Sequence, residues 1–594
     1  MKFIRGIFLA AWAGTALGAA TGAGAGAASA IEWRPWSEEV FAQAKRENKF
    51  VLMDLEAVWC HWCHVMEEIT YHDPAVVALI KARYLAVRVD QDARPDLANR
   101  YEDYGWPATV VFAPDGTEIV KRQGYLPPGP MASILQGIID DPSPIGTRTG
   151  AELPPGPKTP RQERVATLRA QLYQGYDDVQ GGWGFSHKVL DGDTVEFALR
   201  EAGRGDRAAE AKARTTLRLQ RKLLDPVWGG VYQYSVGGNW DEPHFEKIMQ
   251  MQAENLRLYA LAHARWGDAG YLEPARAIHR YLRTFLTSPD GVVYTSQDAD
   301  LVPGEHSADY YALDDAGRRA RGIPRIDRHI YARENGWVIA ALVPLAAITG
   351  EDAIRAEAER AARWVLAHRA LPGGGFRHDE RDAAGPYLGD TLAMGRAFLA
   401  LHQLTQDPAW LTHAGAAADF IRGHFGRGAL AGFASTDTTR ASFPAPLPQY
   451  DENTGLARFA AALARVTGRP EHRELAGRAL DWVLAEPVTA NRGYYVGGAL
   501  LAEEEFSREP VHVMILGRKD DPVARAMFAV ALHLPDQHKL VEWWDRREGP
   551  APRHEEIFPE MDGAAAFLCA NGACSLPVTD AAALAKRLAR VTQP

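Results

Sequence analysis

Trp59-Cys60-His61-Trp62-Cys63-His64-Val65-Met66 carries two of the four cysteines in this 594-residue chain. Two thiols separated by two residues can close a disulfide within one helical turn, and the ionised thiol is the attacking species. The preceding run, Phe50-Val51-Leu52-Met53-Asp54-Leu55, is apolar and reads as a buried strand. From His64 to Ile80 the apolar residues Val65, Ile69, Val76, Val77 and Ile80 fall at helical spacing. A helix N-terminus behind Cys60 offers free N–H groups and partial positive charge, which lower the thiol pKa. An imidazolium at His61 would favour the Cys60 thiolate further and make the disulfide a better oxidant. Two other chemistries use the same residues: zinc held by the cysteines with His61 or His64, and a purely structural disulfide.

A second pair, Cys569 and Cys574, brackets Ala570-Asn571-Gly572-Ala573. A turn there brings two Cα atoms within disulfide range. This pair reads either as a relay exchanging electrons with Cys60 and Cys63 or as a structural staple. Elsewhere, acids stand beside aromatics. Trp240-Asp241-Glu242-Pro243-His244-Phe245-Glu246-Lys247 is the densest stretch; Gln297-Asp298-Ala299-Asp300 and Tyr450-Asp451-Glu452-Asn453 follow. A ring face can stack on a sugar while carboxylates take its hydroxyls, and glycoside hydrolysis needs two carboxylates set across the bond. His244, Glu246, Asp298, Asp300, Asp451 and Glu452 are therefore candidates for a carbohydrate-type site. The acids equally suit helix N-termini, where negative charge is favoured.

The elements that must position these residues divide the chain. Residues 31–145 alternate strand and helix patterns, which with the strand-first Cys-x-x-Cys is a thioredoxin-like arrangement. Tyr84–Asp90 reads as a strand, Ala108–Phe112 as another after Gly105-Trp106-Pro107, and Pro114-Asp115-Gly116 as a hairpin turn. Pro127–Pro130 reads as a loop before a short helix at Met131–Ile139, and 146–160 as a linker. From 161 to 507, long helical runs alternate with glycine–aromatic loops such as Gly181-Gly182-Trp183, Trp228-Gly229-Gly230 and Gly373-Gly374-Gly375-Phe376. Their recurrence predicts helical hairpins closed into an (α/α)6 toroid, with a superhelical stack as the alternative. Residues 508–594 return to an α/β pattern.

Hydrophobic residues make up 46% and charged residues 24% of the chain, an ordinary globular balance. The net charge of −10 and the lack of a basic stripe argue against nucleic acid as a partner. Residues 1–30 read as an export signal: Lys2 and Arg5, the apolar run Ile7–Ala13, then Ala28-Ser29-Ala30 at a cleavage site. An uncleaved anchor is the alternative. The mature protein is expected in a periplasmic or extracellular space, with no integral membrane segment after cleavage.

These features together resemble the spermatogenesis-associated thioredoxin-like family, in which a thioredoxin domain is fused to a six-hairpin glycosidase-like domain. Cys60 through Met66, Val89-Asp90-Gln91-Asp92, Gly105-Trp106-Pro107, Tyr234-Ser235-Val236, Pro243-His244-Phe245-Glu246-Lys247, Gln297-Asp298-Ala299-Asp300 and Cys569 through Thr579 carry the resemblance. Val58-Trp59 departs from it, standing where the family often has Ser-Thr. The resemblance implies that Asp54 is the buried acid assisting proton transfer, that Pro107 is a cis-proline facing the dithiol and shaping the substrate groove, and that Trp59 covers one side. The expectation is a thiol–disulfide oxidoreductase: Cys60 attacks, Cys63 resolves, and the substrate is a protein thiol or disulfide. The alternative is a carbohydrate-binding or carbohydrate-active toroid with an accessory thioredoxin domain; a scaffold using the thioredoxin surface for recognition is a third. No glycine fingerprint follows a strand, so no dinucleotide is expected; no metal and no cofactor beyond the Cys60–Cys63 disulfide is assigned.

Overall fold

The computed structural model describes residues 30–101, 105–144, 159–382, 384–426, 431–439, 443–536, 538–549, 558–559, 561–570 and 573–591. The export-signal reading, most of the linker and the Asn571-Gly572 turn lie outside the described residues.

The N-terminal domain is a five-stranded sheet with helices on both faces. Its elements are β1 (Trp33–Arg34), α1 (Glu38–Glu47), β2 (Phe50–Glu56), α2 (His61–Val65), α3 (Pro74–Arg83), β3 (Tyr84–Asp90), α4 (Pro95–Tyr101), β4 (Ala108–Phe112), β5 (Glu118–Gln123) and α5 (Pro128–Asp140). The strand order is β1-β3-β2-β4-β5. β2 is central, parallel to β3 and antiparallel to β4, and all but its last residue are buried, as a strand covered on both faces requires. The continuous helix expected from His64 to Ile80 is instead two pieces. After α2 the chain widens into a π turn at Met66–Thr70 and restarts at α3, where Asp73 accepts from Ala75 and Val76 N–H and Pro74 takes the first turn. α5 begins earlier than expected, because Pro128 and Pro130 sit in a first turn that needs no amide donors.

Among the described residues, six helices form an inner ring: Gly192–Gly203, Met249–Trp266, Ala332–Thr349, Leu388–Thr405, Tyr450–Thr467 and Gly497–Ser507. Each packs on the next, and the last closes on the first. An outer helix backs each one; Arg161–Gln174, the first helix after the linker, backs the last inner helix. This is an (α/α)6 toroid. Inner helices such as Leu388–Thr405 are buried on nearly every side, so they lack the apolar stripe of a surface helix. The glycine–aromatic loops follow the outer helices and fold back as single bridges, Tyr176 to Trp183, Leu224 to Val231, Thr287 to Val293 and Ala370 to Phe376. The axis of the ring is filled by ion pairs: Arg458 meets Glu196 at 2.7 Å and Glu505 at 3.0 Å, and Arg200 meets Glu196 at 2.8 Å.

The C-terminal segment is a four-stranded sheet in which Val511–Leu516 lies between Lys539–Trp544 and Ala565–Ala570, with Ala573–Cys574 at the edge. It docks on the C-terminal ends of the inner helices: Gln406, just past Leu388–Thr405, bonds Val541 O at 3.0 Å and accepts from Trp543 N–H at 3.1 Å. The N-terminal domain covers the opposite ends. No described helix is long and apolar enough to cross a membrane.

Candidate active site at the domain boundary

Cys60 is the residue before the first turn of α2, and its sulfur accepts from the Cys63 N–H at 3.2 Å. Cys60 and Cys63 are joined as a disulfide, as are Cys569 and Cys574. The helix N-terminus thus points at the reacting sulfur, where it favours a thiolate. Trp59 is buried beside the pair, and its Nε1–H donates to Asp92 Oδ2 at 2.8 Å. The Trp106–Pro107 bond is cis, and Trp106 packs on Trp59, Cys60 and Cys63.

The central strand β2, which leads to the disulfide, carries Asp54 opposite Arg88 on β3 and Thr109 on β4. Burial pushes the Asp54 carboxyl up to about 6, against the pull of Arg88, whose Nε lies 3.3 Å away. Arg88 also pairs with Glu67 and, at 3.4 Å, with Glu56, and lies over the Trp33 ring at 4.0 Å. Asp54 is therefore a group that can take or give a proton near neutral pH.

The other wall of the site belongs to the toroid. Strands Lys247–Ile248, Ser296–Gln297 and Ile326–Asp327 form a small sheet at the mouth of the ring. Ile248 packs against the cluster formed by Ala57, Trp59, Cys60 and Cys63, and Ala299 N–H reaches Trp59 O at 3.4 Å. The result is that Cys60 is 3% and Cys63 4% exposed. On either side of Ala299 stand Asp298 and Asp300. Asp300 accepts from His61 Nδ1 at 2.8 Å, from His64 Nδ1 at 3.1 Å and from Gly304 N–H at 2.9 Å. Gly304 has φ +80°, which suits the residue without a Cβ. These bonds outweigh burial and hold the Asp300 carboxyl down to about 2. Burial pushes Asp298 up to about 7. At His64, burial opposes protonation, but the Asp300 bond and the charges of both aspartates outweigh it and raise the imidazole pKa.

A cavity of about 410 Å³ opens at this boundary, lined by His61 from α2 and by His244, Phe245, Glu246, Asp300 and His306 among others. The His306 ring stands 5.1 Å from that of His61, and His244 stacks on Tyr234 at 4.4 Å. The structure thus brings His61, His244, Glu246 and Asp300 to one space, with Asp298 beside it. Asp451 and Glu452 are elsewhere. Asp451 is exposed and pairs with Arg492 at 3.2 Å. Glu452 is half-buried, accepting from Ser435 Oγ at 2.6 Å and from Asn99 Nδ2 of α4 at 3.1 Å. The expectation that these two acids face an open funnel is corrected: one is on the surface, and the dithiol domain itself covers the other.

Cys569 and Cys574 lie in the C-terminal segment, at the other end of the toroid from Cys60 and Cys63. Ile248, at the start of the 18-residue helix Met249–Trp266, packs against the cluster that holds the dithiol, while Arg265 and Trp266 at its end border His533 and Leu534 of the C-terminal segment. At 1.5 Å per residue, about 27 Å of helix lies between. Residues that sequence reasoning missed include His306, Ile248, Asp92 and Arg88. The arginine is the one basic residue in the otherwise mostly apolar strand Tyr84–Asp90, and that was the available signal.

Residues 25–138 match the family described as Thioredox_DsbH, protein of unknown function, DUF255. Thioredoxin H7 of Arabidopsis thaliana is 34% identical over 99 residues, covering 16% of this chain and 71% of that protein. Through this domain the chain belongs to the thioredoxin family. The thioredoxin domain does not stand alone in the comparison. Spermatogenesis-associated protein 20 of Homo sapiens is 22% identical over a 718-residue alignment that covers 94% of this chain and 90% of that protein, so the resemblance read from the motifs extends through the toroid. Among solved structures, cellobiose 2-epimerase from Spirochaeta thermophila covers 59% of this chain and 98% of its own, at 14% identity and a TM-score of 0.44. The ring itself is established by the helix pairing described above.

Proposed function

We propose that this protein is a thiol–disulfide oxidoreductase whose dithiol works inside a site shared by the thioredoxin domain and the toroid. The observation that carries the reading is the Cys60–Cys63 disulfide at the N-terminus of α2, backed by a buried acid titrating near 6. In the reduced protein the Cys60 thiolate attacks a substrate disulfide, forming a mixed disulfide and releasing one substrate thiolate. Cys63 then attacks the Cys60 sulfur, closing the protein disulfide and releasing the second thiolate. Asp54 takes the Cys63 proton. Two electrons pass to the substrate, and an external dithiol restores the reduced protein. With Cys60 3% and Cys63 4% exposed, a folded partner cannot reach them in this arrangement. The substrate is a small disulfide or an extended peptide segment entering by the cleft beside His61. A Cys63→Ser variant should accumulate a mixed disulfide on Cys60, read by intact mass. Recovery of none, under oxidative challenge and with small and peptide disulfides offered, would overturn the reading.

A second reading, a carbohydrate site in the toroid, is favoured by one observation: Phe245, His244, Glu246 and Asp300 line the cavity of about 410 Å³. Glycan binding should then survive Cys60→Ser/Cys63→Ser and fail on His244→Ala; an empty glycan array with folded protein removes it. We also propose export, on the n-region, apolar run and Ala28-Ser29-Ala30. N-terminal sequencing of the mature protein should begin near Ile31 and the protein should fractionate outside the cytoplasm; an intact N-terminus in the cytoplasm overturns it.

A further inference from the structure

We infer that the interior of the ring holds a binding site for a small organic carboxylate, with its charged end on Arg396 and its apolar body against Ala340 and Trp337. Arg200, Arg257, Ala340, Arg396, Arg458 and Glu505 are each the ninth residue of an inner helix, so they stand at one level of the ring, about 12 Å below its mouth. Three of the four arginines are paired there. Arg458 meets Glu196, Glu505 and, at 2.7 Å, Asp193. Arg200 meets Glu196 and Glu505, and Arg257 meets Glu196 at 2.5 Å.

Among the described residues, Arg396 has no hydrogen bond or ion pair. Its Nη1 lies against Gly455, where a Cβ would stand 3.4 Å away, one turn before Arg458. Burial, with the charges of Arg458 and Arg257, outweighs Asp193 and Glu196 and lowers the Arg396 pKa. Glu254, one turn nearer the mouth than Arg257, does not supply the missing charge: burial pushes it up to about 8, so it holds its proton at neutral pH. A guanidinium taken out of water without a partner is costly. One such group calls for one negative charge, which a carboxylate carries in the planar form that an arginine fork matches, and which a phosphate dianion exceeds.

Space for such a solute adjoins this arginine. From Leu388 to Leu399 every residue except Arg396 is buried, and from Ala332 to Leu342 every residue except Arg333, Trp337 and Ala340. Neighbouring inner helices and an outer helix cover the other faces of both segments, so surface left open at mid-helix borders the interior of the ring. Arg333, Trp337 and Ala340 are four and three residues apart and share that face. Ala340, with only a methyl group, stands on the helix between those of Arg257 and Arg396, and Trp337 adds an apolar wall one turn toward the mouth. The ion pairs occupy the other side of the axis, between the first, fifth and sixth inner helices. This space is distinct from the cavity at the dithiol boundary, none of whose lining residues lies on an inner helix.

The test uses the full-length protein dialysed into chloride buffer, with sodium benzoate as the probe and sodium phosphate as the comparison, at matched ionic strength. Calorimetric titration should show one saturable benzoate site, and no phosphate site that depends on Arg396. Benzoate affinity should fall at least tenfold in Arg396→Met, which removes the charge, and in Ala340→Leu, which fills the space and keeps every charge. It should stay at the wild-type value in Arg363→Met, an exposed arginine of an outer helix. Without benzoate, Arg396→Met should melt no lower than the wild type, because it removes a charge that has no partner. Benzoate should raise the thermal midpoint of the wild type and not of Arg396→Met, a readout that stands even if Ala340→Leu folds poorly. The inference is overturned by no saturable benzoate site, by binding unchanged in folded Arg396→Met, by an Arg396→Met protein that melts below the wild type without the probe, or by phosphate binding that Arg396→Met abolishes. None of these readouts involves the disulfides, so failure here leaves the oxidoreductase reading untouched.

Discussion

His61 Nδ1 lies 2.8 Å from Asp300 Oδ1, joining the residue after the first active-site cysteine to a loop 239 positions later in the chain. Both groups are buried. This pair, with His64 on the other oxygen of the same carboxylate, anchors α2 of the thioredoxin domain to the toroid and keeps the disulfide covered. Asp300 is also the charged partner of His64, whose imidazole pKa is raised, and removing one member of a buried ion pair costs about 3–5 kcal/mol because the other charge is left unpaired. Asp300→Asn should therefore loosen the boundary. The expected outcome is faster reduction of Cys60–Cys63 by a bulky dithiol, by roughly fivefold or more since 1 kcal/mol already gives that factor. A time course of alkylated Cys60 by mass spectrometry reads it. An unchanged rate would mean that the boundary does not gate the disulfide.

Ile248 contributes packing to the same cover without charge. Truncating a buried isoleucine to alanine costs about 2–5 kcal/mol and leaves a cavity; the partly buried position of Ile248 puts it at the low end. Ile248→Ala should speed reduction by a small phosphine as well as by a bulky dithiol, because the gap opens in the apolar cluster that holds the disulfide. Asp300→Asn should favour the bulky reagent. Comparing the two reagents on the two variants separates local access from domain loosening.

Asp54 sets a pH dependence whose sign follows from its raised pKa. The folded carboxyl titrates at about 6 against an ordinary 3.8, so the folded state binds the proton more tightly than the unfolded chain. Above about pH 6 the buried charge is a stability penalty, and it disappears as pH falls from 6 toward 3.8. A shift of this size corresponds to about 3 kcal/mol. Asp54→Asn should raise the thermal midpoint of the thioredoxin domain at pH 7, and the gain should vanish near pH 4. Arg88 keeps Glu56 and Glu67 as partners, so the substitution does not strand it. The same variant should slow the resolving step and remove its inflection near pH 6. A variant less stable than wild type at pH 7 would mean that the Arg88 bond outweighs burial.

How far the sequence could be read depends on the range of each interaction. The Cys60–Cys63 unit was legible because everything that shapes it locally, the strand before and the helix after, lies within a few residues. The helical hairpins were legible because each glycine–aromatic loop marks where an outer helix turns back. Asp298 and Asp300 were legible as a chemically dense stretch, but nothing near them in sequence names His61 and His64 as their partners. Asp451 and Glu452 show the opposite failure. Neighbours on a helix point about 100° apart, so one reaches Arg492 at the surface and the other turns inward to Ser435 and Asn99. Two adjacent acids could not both face one funnel.

The distal disulfide is the remaining case, and it yields a prediction of no effect. Cys569 and Cys574 are directly paired across the hairpin of Ala565–Ala570 and Ala573–Cys574, with Cys569 buried and Cys574 exposed. Thiol–disulfide exchange needs direct contact between sulfurs, and the toroid stands between this pair and Cys60–Cys63. In Cys569→Ser/Cys574→Ser the reduction potential of Cys60–Cys63 should shift by less than about 10 mV, where about 30 mV is a tenfold change in the equilibrium. The bridge closes a loop of only a few residues, so its loss should lower the stability of the C-terminal sheet modestly. Equilibration in glutathione buffers, followed by quenching and mass mapping of the proximal thiols, measures the potential. A shift well beyond 10 mV in a folded double variant would show that the two pairs communicate, and would require the C-terminal sheet to leave the far end of the ring.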